Sequence, residues 1–226
     1  PTPPTFREGK ELTTSFTGTL SERYGAPIER IPSPQRLLDW LGLHGLDVDA
    51  CSPAQLVEAH RLREAIHLLA TAAARGEPQP AAAAELVNRR AAHGSPWVVL
   101  TLDGQQRWRL HPEHPLDDAL SVIARDAIGV ISGQRGGRLA LCAAPTCRAV
   151  FVDTSRGRSR RSAVAAARQG DGGVDDQFAA SVTTEAEFAS AARRLSATAS
   201  AAGFDRLFSE ITTASASTCA SASGTR

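Results

Sequence analysis

Apolar residues recur at helical spacing through the first part of the chain, and the breaks between the stripes are marked by Ser-Pro and Gly. Ser33-Pro34 is a helix start, with Ser as N-cap and Pro at the first helical position, and Leu37, Leu38, Trp40 and Leu41 supply a buried face before Gly42 or Gly45. A second start at Ser52-Pro53 opens the longest helical pattern, to Arg75, which Gly76 closes. Leu62, Ile66 and Leu69 fall on one stripe there, flanked by Ala59 and Ala65, with Glu58, Arg61 and Glu64 mostly on the other side. After the break Pro78-Gln79-Pro80, residues 81–92 predict a helix with Leu86 and Val87 inward. Pro115 to about Ser132 predicts another, striped by Leu116, Leu120, Ile123, Ala127 and Val130 and stopped by Gly133, Gly136 and Gly137.

Between these helices the period changes. Trp97 to Leu102 reads as a strand, Asp103-Gly104 is a hairpin turn signal, and Arg107-Trp108-Arg109-Leu110 alternates as the return strand. Residues 1–5 are expected to be loose. Phe6 to Leu20, rich in Thr and Ser, predicts a short helix, and Tyr24 to Pro32 a loop. The fold class that follows is mainly α with a small β-hairpin, over a helical domain at residues 6–134. Residues 169–226 are dominated by Ala, Ser, Thr and Gly. They are expected to be a low-complexity, disordered tail, with short helices only at Glu185–Leu195 and Phe204–Ile211.

Composition narrows the function. At 226 residues and 42% hydrophobic content the chain can bury a core. No apolar run approaches the roughly 18 residues that would span a bilayer, and no signal peptide is visible, so the expectation is a soluble, cytoplasmic protein without membrane partners. Basic residues are almost all Arg, with Lys10 the single Lys, which together with abundant Ala suggests a GC-rich bacterial genome. Phosphate-loop, Gly-x-Ser-x-Gly, His-Glu-x-x-His and glycine-rich nucleotide patterns are absent from the sequence, so an enzyme is not expected. Asp117-Asp118 suits helix capping, and His111 and His114 suit a turn with two surface imidazoles better than a metal site.

Charge is unevenly placed. Residues 135–168 carry a net of +7 against +1 for the whole chain, so the remainder carries −6. This segment opens with Cys142 and Cys147 around Pro145, continues through the alternating Ala149-Val150-Phe151-Val152, and reaches Arg156, Arg158, Arg160 and Arg161. Two thiols in a turn, a strand and a basic cluster make half of a zinc knuckle with a nucleic-acid face. The candidate metal ligands are Cys142 and Cys147. The candidate nucleic-acid contacts are Arg148, Arg156, Arg158, Arg160 and Arg161. A redox pair or reactive thiolate is the other reading of the two cysteines.

At this segment the chain resembles the bacterial CGNR zinc-finger proteins, which join an N-terminal ABATE region, a stress-response transcription-regulator type, to a C-terminal finger. The matching residues are Leu141-Cys142-Ala-Ala-Pro-Thr-Cys147, then Phe151-Val-Asp-Thr-Ser-Arg156, then Ser159-Arg-Arg161. The softer N-terminal matches are Arg30-Ile-Pro-Ser-Pro34, the Leu62–Leu69 helix and the Trp97/Trp108 hairpin. The resemblance implies a DNA-binding regulator that holds zinc, with a homodimer and a small-molecule effector as possible partners. The alternative is a ligand-sensing or protein-interaction module without DNA binding. In the family, Ser-Arg-Arg runs into Trp-Cys and a second Cys that opens Cys-Gly-Asn-Arg. Here Ser162 and Ala163 stand in place of Trp and Cys, and Arg168 stands near the place of the last Cys. Residues 135–168 are therefore a degenerate finger, and zinc is expected to be weak or absent in this chain. A change of reading frame after Arg161 would produce such a loss.

Overall fold

The computed structural model describes residues 4–155 apart from Glu8 and Lys10. Residues Arg156, Arg158, Arg160 and Arg161, Cys219 and the expected tail helices lie outside them. The described residues all belong to one compact unit, Pro1–Gly170. In chain order they form α1 (Leu12–Thr17), β1 (Leu20–Ser21), β2 (Ile28–Glu29), α2 (Pro34–Leu43), α3 (Pro53–Arg75), α4 (Ala81–Ala92), β3 (Trp97–Leu100), β4 (Gln106–Arg109), α5 (Pro115–Ile131), β5 (Arg138–Leu141) and β6 (Val150–Asp153). The architecture is mainly α. The strands make three antiparallel pairs, β1–β2, β3–β4 and β5–β6, none of which joins another among the described residues.

The Ser-Pro starts behave as their chemistry requires. Ser33 Oγ accepts from the Arg36 N–H at 3.4 Å, and Ser52 and Gln55 close a reciprocal capping box that satisfies donors otherwise left open at the head of α3. Gly76 takes φ +70 and ends α3 in the left-handed region, which costs a glycine nothing. The stripe of α3 and that of α5 meet in the main core. Leu62, Ile66, Leu120 and Ile123 are buried there with Trp40 and Phe16, whose rings lie 5.1 Å apart.

Three expectations are corrected. The stretch Tyr24–Pro32 is not a plain loop: Ile28-Glu29 pairs back onto Leu20-Ser21. Strands of two residues carry no readable period, so nothing in the pattern could announce them. Residues 4 and 5 are not loose, since the Pro4 and Thr5 carbonyls accept from Arg36 Nη2 and Arg30 Nε, each at 2.8 Å, and Arg36 lies 4.0 Å over the Phe6 ring. Glu64 does not face solvent with Glu58 and Arg61. It is turned inward against Arg63 and Arg23.

The short α1 exists in spite of its threonines because its polar atoms are placed. Thr13 gives both its N–H and its hydroxyl to Asp126 Oδ2 on α5, at 2.9 and 2.6 Å. Threonine hydroxyls compete for backbone groups in an unfolded chain; here that of Thr13 is held by a tertiary contact, while those of Thr14 and Thr17 bond the local Glu11 and Thr14 carbonyls.

Candidate nucleic-acid interface

The two cysteines sit at the mouth of the β5–β6 hairpin. The Cys142 N–H donates to the Ala149 carbonyl at 2.8 Å, closing the turn at its base, and the Cys147 N–H donates to Ala144 at 3.1 Å inside it. Arg148 follows at φ +46, a left-handed conformation that a non-glycine residue adopts at some cost. The turn thus folds as a knuckle, with both thiols buried and brought together and Arg148 exposed beside them. Burial first, then the neighbouring Cys142, pushes the Cys147 thiol up, against a lowering by the Ala149 N–H. A thiol held in its protonated form is a poor nucleophile, which runs against the reactive-thiolate reading.

The hairpin is packed onto the helical body. Leu139 and Val150 join Ala70 of α3 and Val130 of α5 in a second apolar cluster. At the far end, the turn between β1 and β2 grips the knuckle directly. The Tyr24 N–H donates to the Thr146 carbonyl at 3.0 Å, and Thr146 Oγ1 donates to Glu22 Oε2 at 2.9 Å. Gly25 lies so close that a Cβ there would sit 3.0 Å from Thr146 Cβ.

What holds that gripping turn in place is a buried ionic network. Arg23 points the opposite way from Glu22 and Tyr24, onto Glu64 and the Thr17 carbonyl. Arg63, 3% exposed, bonds both Glu29 oxygens at 2.8 and 2.7 Å and Glu64 Oε1 at 2.8 Å, and gives a further bond to Thr19 Oγ1. Burial works to raise the Glu64 carboxyl, but Arg23, Arg63 and His67 outweigh it and hold it at about 2. Glu29 is likewise lowered, with Arg63 overcoming burial. His67, next to this network, is driven by burial and then by Arg23 down to about 3, and its Nδ1 has no hydrogen-bond partner. The network runs from α3 through Glu64 and Arg23 to the Glu22–Gly25 turn, and from there to Thr146 beside Cys147.

None of these residues is announced by the motif. A signal was present for two of them. Arg63 and His67 fall on the stripe of Ala59, Ile66 and Ala70 along α3, where a charged or titratable residue has to find a buried partner. Nothing in the sequence pointed to Glu22, Arg23 or Tyr24.

The other candidate residues resolve differently. Asp117 and Asp118 fall in the first turn of α5, where acids suit the helix dipole, although the N-cap itself is His114. Asp117 pairs with Arg90 at 2.8 Å. Asp118, 1% exposed, accepts from the Ser95 N–H at 2.8 Å and the His111 N–H at 2.6 Å, so it clamps both stems of the β3–β4 hairpin to α5. His111 and His114 line a cleft of about 240 Å³ together with His93 and both aspartates. Among the described residues, no three His, Cys, Asp or Glu side chains are placed to hold a metal ion. A structural zinc site closes with four protein ligands, so the described thiol pair alone does not fit the ion.

The arrangement is a helical body carrying a braced turn with two buried thiols and an exposed arginine beside them. Residues 10–134 match the ABATE family model, described as a putative stress-induced transcription regulator, and the chain belongs to that family. Residues 138–162 match the CGNR zinc finger, and the match ends at Ser162, having taken in Cys142 and Cys147 and no other cysteine. No curated protein matches the chain. Among the described residues, no helix is long and apolar enough to cross a membrane.

Proposed function

We propose that this chain is a transcription regulator that contacts DNA phosphates through residues 135–168, with the helical body at residues 6–134 as the platform for that segment. Arg148, Arg156, Arg158, Arg160 and Arg161 make the contacts. The observation that carries the reading is the braced knuckle. The family's thiol turn is folded here with both thiols buried, Arg148 is exposed beside it, and in sequence the arginine run follows β6. Arg138 and Arg148 are exposed and make no ion pair among the described residues, so both are available to an anion.

Guanidinium forks suit phosphate oxygens, and each neutralised phosphate releases counterion, so affinity falls steeply with salt. The element that would read base edges in the family follows a second thiol pair, and this sequence has no such pair. The contacts are therefore positioning contacts, indifferent to sequence.

The test is a salt titration of the full chain on several unrelated duplexes, beside the variant R156A/R158A/R160A/R161A. Four phosphate contacts give a log–log slope of about −3 to −4 for the wild type. The variant should bind more weakly on every duplex and with a shallower slope. Equal binding by the two proteins removes the cluster from the function. Strong preference for one duplex shows that a base reader survives.

A further inference from the structure

The β3–β4 hairpin stands away from both apolar clusters over much of its length. Trp97 is 47% exposed, Val98 46%, Leu100 80%, and Leu102 at the turn is fully exposed. A two-stranded ribbon is marginal in water on its own, and an apolar edge left open is a template for another strand. This ribbon is nevertheless fixed at its base, because Asp118 holds the stems on either side, at Ser95 and His111.

Its two edges differ in chemistry. The register pairs Trp97 with Arg109, Val98 with Trp108, Val99 with Arg107 and Leu100 with Gln106. The Thr101 N–H donates to the Gln105 carbonyl at 2.8 Å, which sets the phase of the ladder: Trp97, Val99 and Thr101 bond inward to β4. The backbone groups of Val98 and Leu100 therefore point out of the free edge of β3, where no strand meets them among the described residues. That edge, Trp97-Val-Val-Leu-Thr-Leu102, contains no charged residue. The β4 edge carries Arg107 and Arg109, the kind of charge that blocks edge pairing.

We infer that the free edge of β3 is the dimer interface of this protein, pairing antiparallel with β3 of a second copy about a two-fold axis at Val99. In that register Val98 exchanges its outward backbone hydrogen bonds with Leu100 of the second copy, and Leu100 with Val98, as an isologous interface requires. The two ribbons become one four-stranded sheet in the order β4, β3, β3, β4. Apolar side chains meet apolar side chains along the seam, and the arginines are carried to the outer edges. Self-pairing through β4 would instead set guanidinium groups against their copies, which is unfavourable for directly opposed like charges. The second copy is the occupant this edge fits, because the strand is self-complementary and offers no charge for an acidic or basic partner to recognise. The inference does not rest on DNA binding.

The experiment is sedimentation velocity of the full chain over a wide concentration range, beside V98K/L100K. Both positions are exposed, so the substituted chain keeps its core. The wild type should sediment at twice the chain mass and the variant at the chain mass, with self-association weakened by roughly a hundredfold. Amide hydrogen exchange supplies the second arm. The Val98 and Leu100 amides should be protected in concentrated wild type and lose protection on dilution, while those of Val99 and Thr101 stay protected throughout. If the variant fails to fold, the exchange arm on the wild type decides alone. A wild type that is monomeric at all concentrations overturns the inference. So does a variant that associates as the wild type does, or a dimer in which the Val98 and Leu100 amides exchange freely.

Discussion

Charged and titratable residues inside the core decide how this protein responds to acid. Glu64 is ionised in the fold down to about pH 2, against an ordinary 4.5, so its stabilising contribution is complete above 4.5 and is lost as pH falls toward 2. His67 stays neutral down to about 3, while in the unfolded chain it takes a proton near 6.5. Its effect is therefore a loss of stability as pH falls from 6.5 to 3, because the unfolded state binds the proton that the folded state refuses. His60, lowered by burial and then by Arg63, acts in the same direction. In His67→Leu, denaturant midpoints should fall less between pH 6.5 and 4.5 than in the wild type, with His60 supplying the residual slope. From 4.5 to about 3 both proteins should lose the contribution of Glu64 and Glu29, the wild type still more steeply, and only below about 3 should the two fall together. At pH 7 the substitution should be nearly neutral, since the Nδ1 it removes has no partner to lose. Parallel curves for the two proteins through the upper window would show that His67 titrates normally. At this scale the sequence was legible only where a residue broke its stripe, as Arg63 and His67 do. Glu29, which pairs with Arg63, and Arg23, which pairs with Glu64, come from a hairpin with no period of its own. The metal candidates Cys142 and Cys147 were named from their spacing, but that the residue between them and the body would be Thr146 could not be read.

Elements were legible in proportion to the chemistry that starts and stops them. The Ser-Pro caps of α2 and α3, the Gly76 stop and the Asp103-Gly104 turn each act through local backbone preferences, and the structure places helices and hairpin where those preferences fall. The β1–β2 pair forms because Glu29 and Arg23 are tied to α3, which is a long-range cause. That pair is also what holds the knuckle, and the hold can be tested at Gly25. Gly25→Val would push branched carbons into Thr146, whose Cβ and Cγ2 lie 3.0 and 3.1 Å from the would-be Cβ. The main core is remote from this contact, so melting should shift little, by about 1 kcal/mol or less in stability. The buried thiols should lose cover, and Cys142 and Cys147 should react with an aromatic disulfide reagent roughly tenfold faster or more. Unchanged thiol reactivity would mean that the β1–β2 turn rests against the knuckle without supporting it.

For the whole molecule, the question is what holds the knuckle when the described residues bring it only two of the four ligands a structural zinc takes. Zinc takes thiolates, and binding must remove a proton from each thiol; burial already makes that harder at Cys147. Two ligands from one turn leave half of the tetrahedron to water, which discards the chelate advantage that makes structural zinc sites hold their metal. The knuckle keeps its shape by other means: the Cys142–Ala149 hydrogen bond, the apolar cluster with Ala70 and Val130, and the grip of Glu22 and Tyr24 on Thr146. A turn stabilised by packing can persist after the metal requirement has lapsed. The purified full chain should therefore contain less than one zinc per molecule by elemental analysis, and a chelator should leave its melting temperature unchanged. The double substitution A163C/R168C supplies a thiol at Ala163, which stands in the place of a family Cys, and one at Arg168, near the place of the last Cys. It should raise bound zinc toward one per chain and make stability depend on the metal. One tightly held zinc in the wild type would overturn this account and point to ligands beyond Cys142 and Cys147. No gain of zinc in A163C/R168C would show that the second half of the finger has lost its fold as well as its thiols.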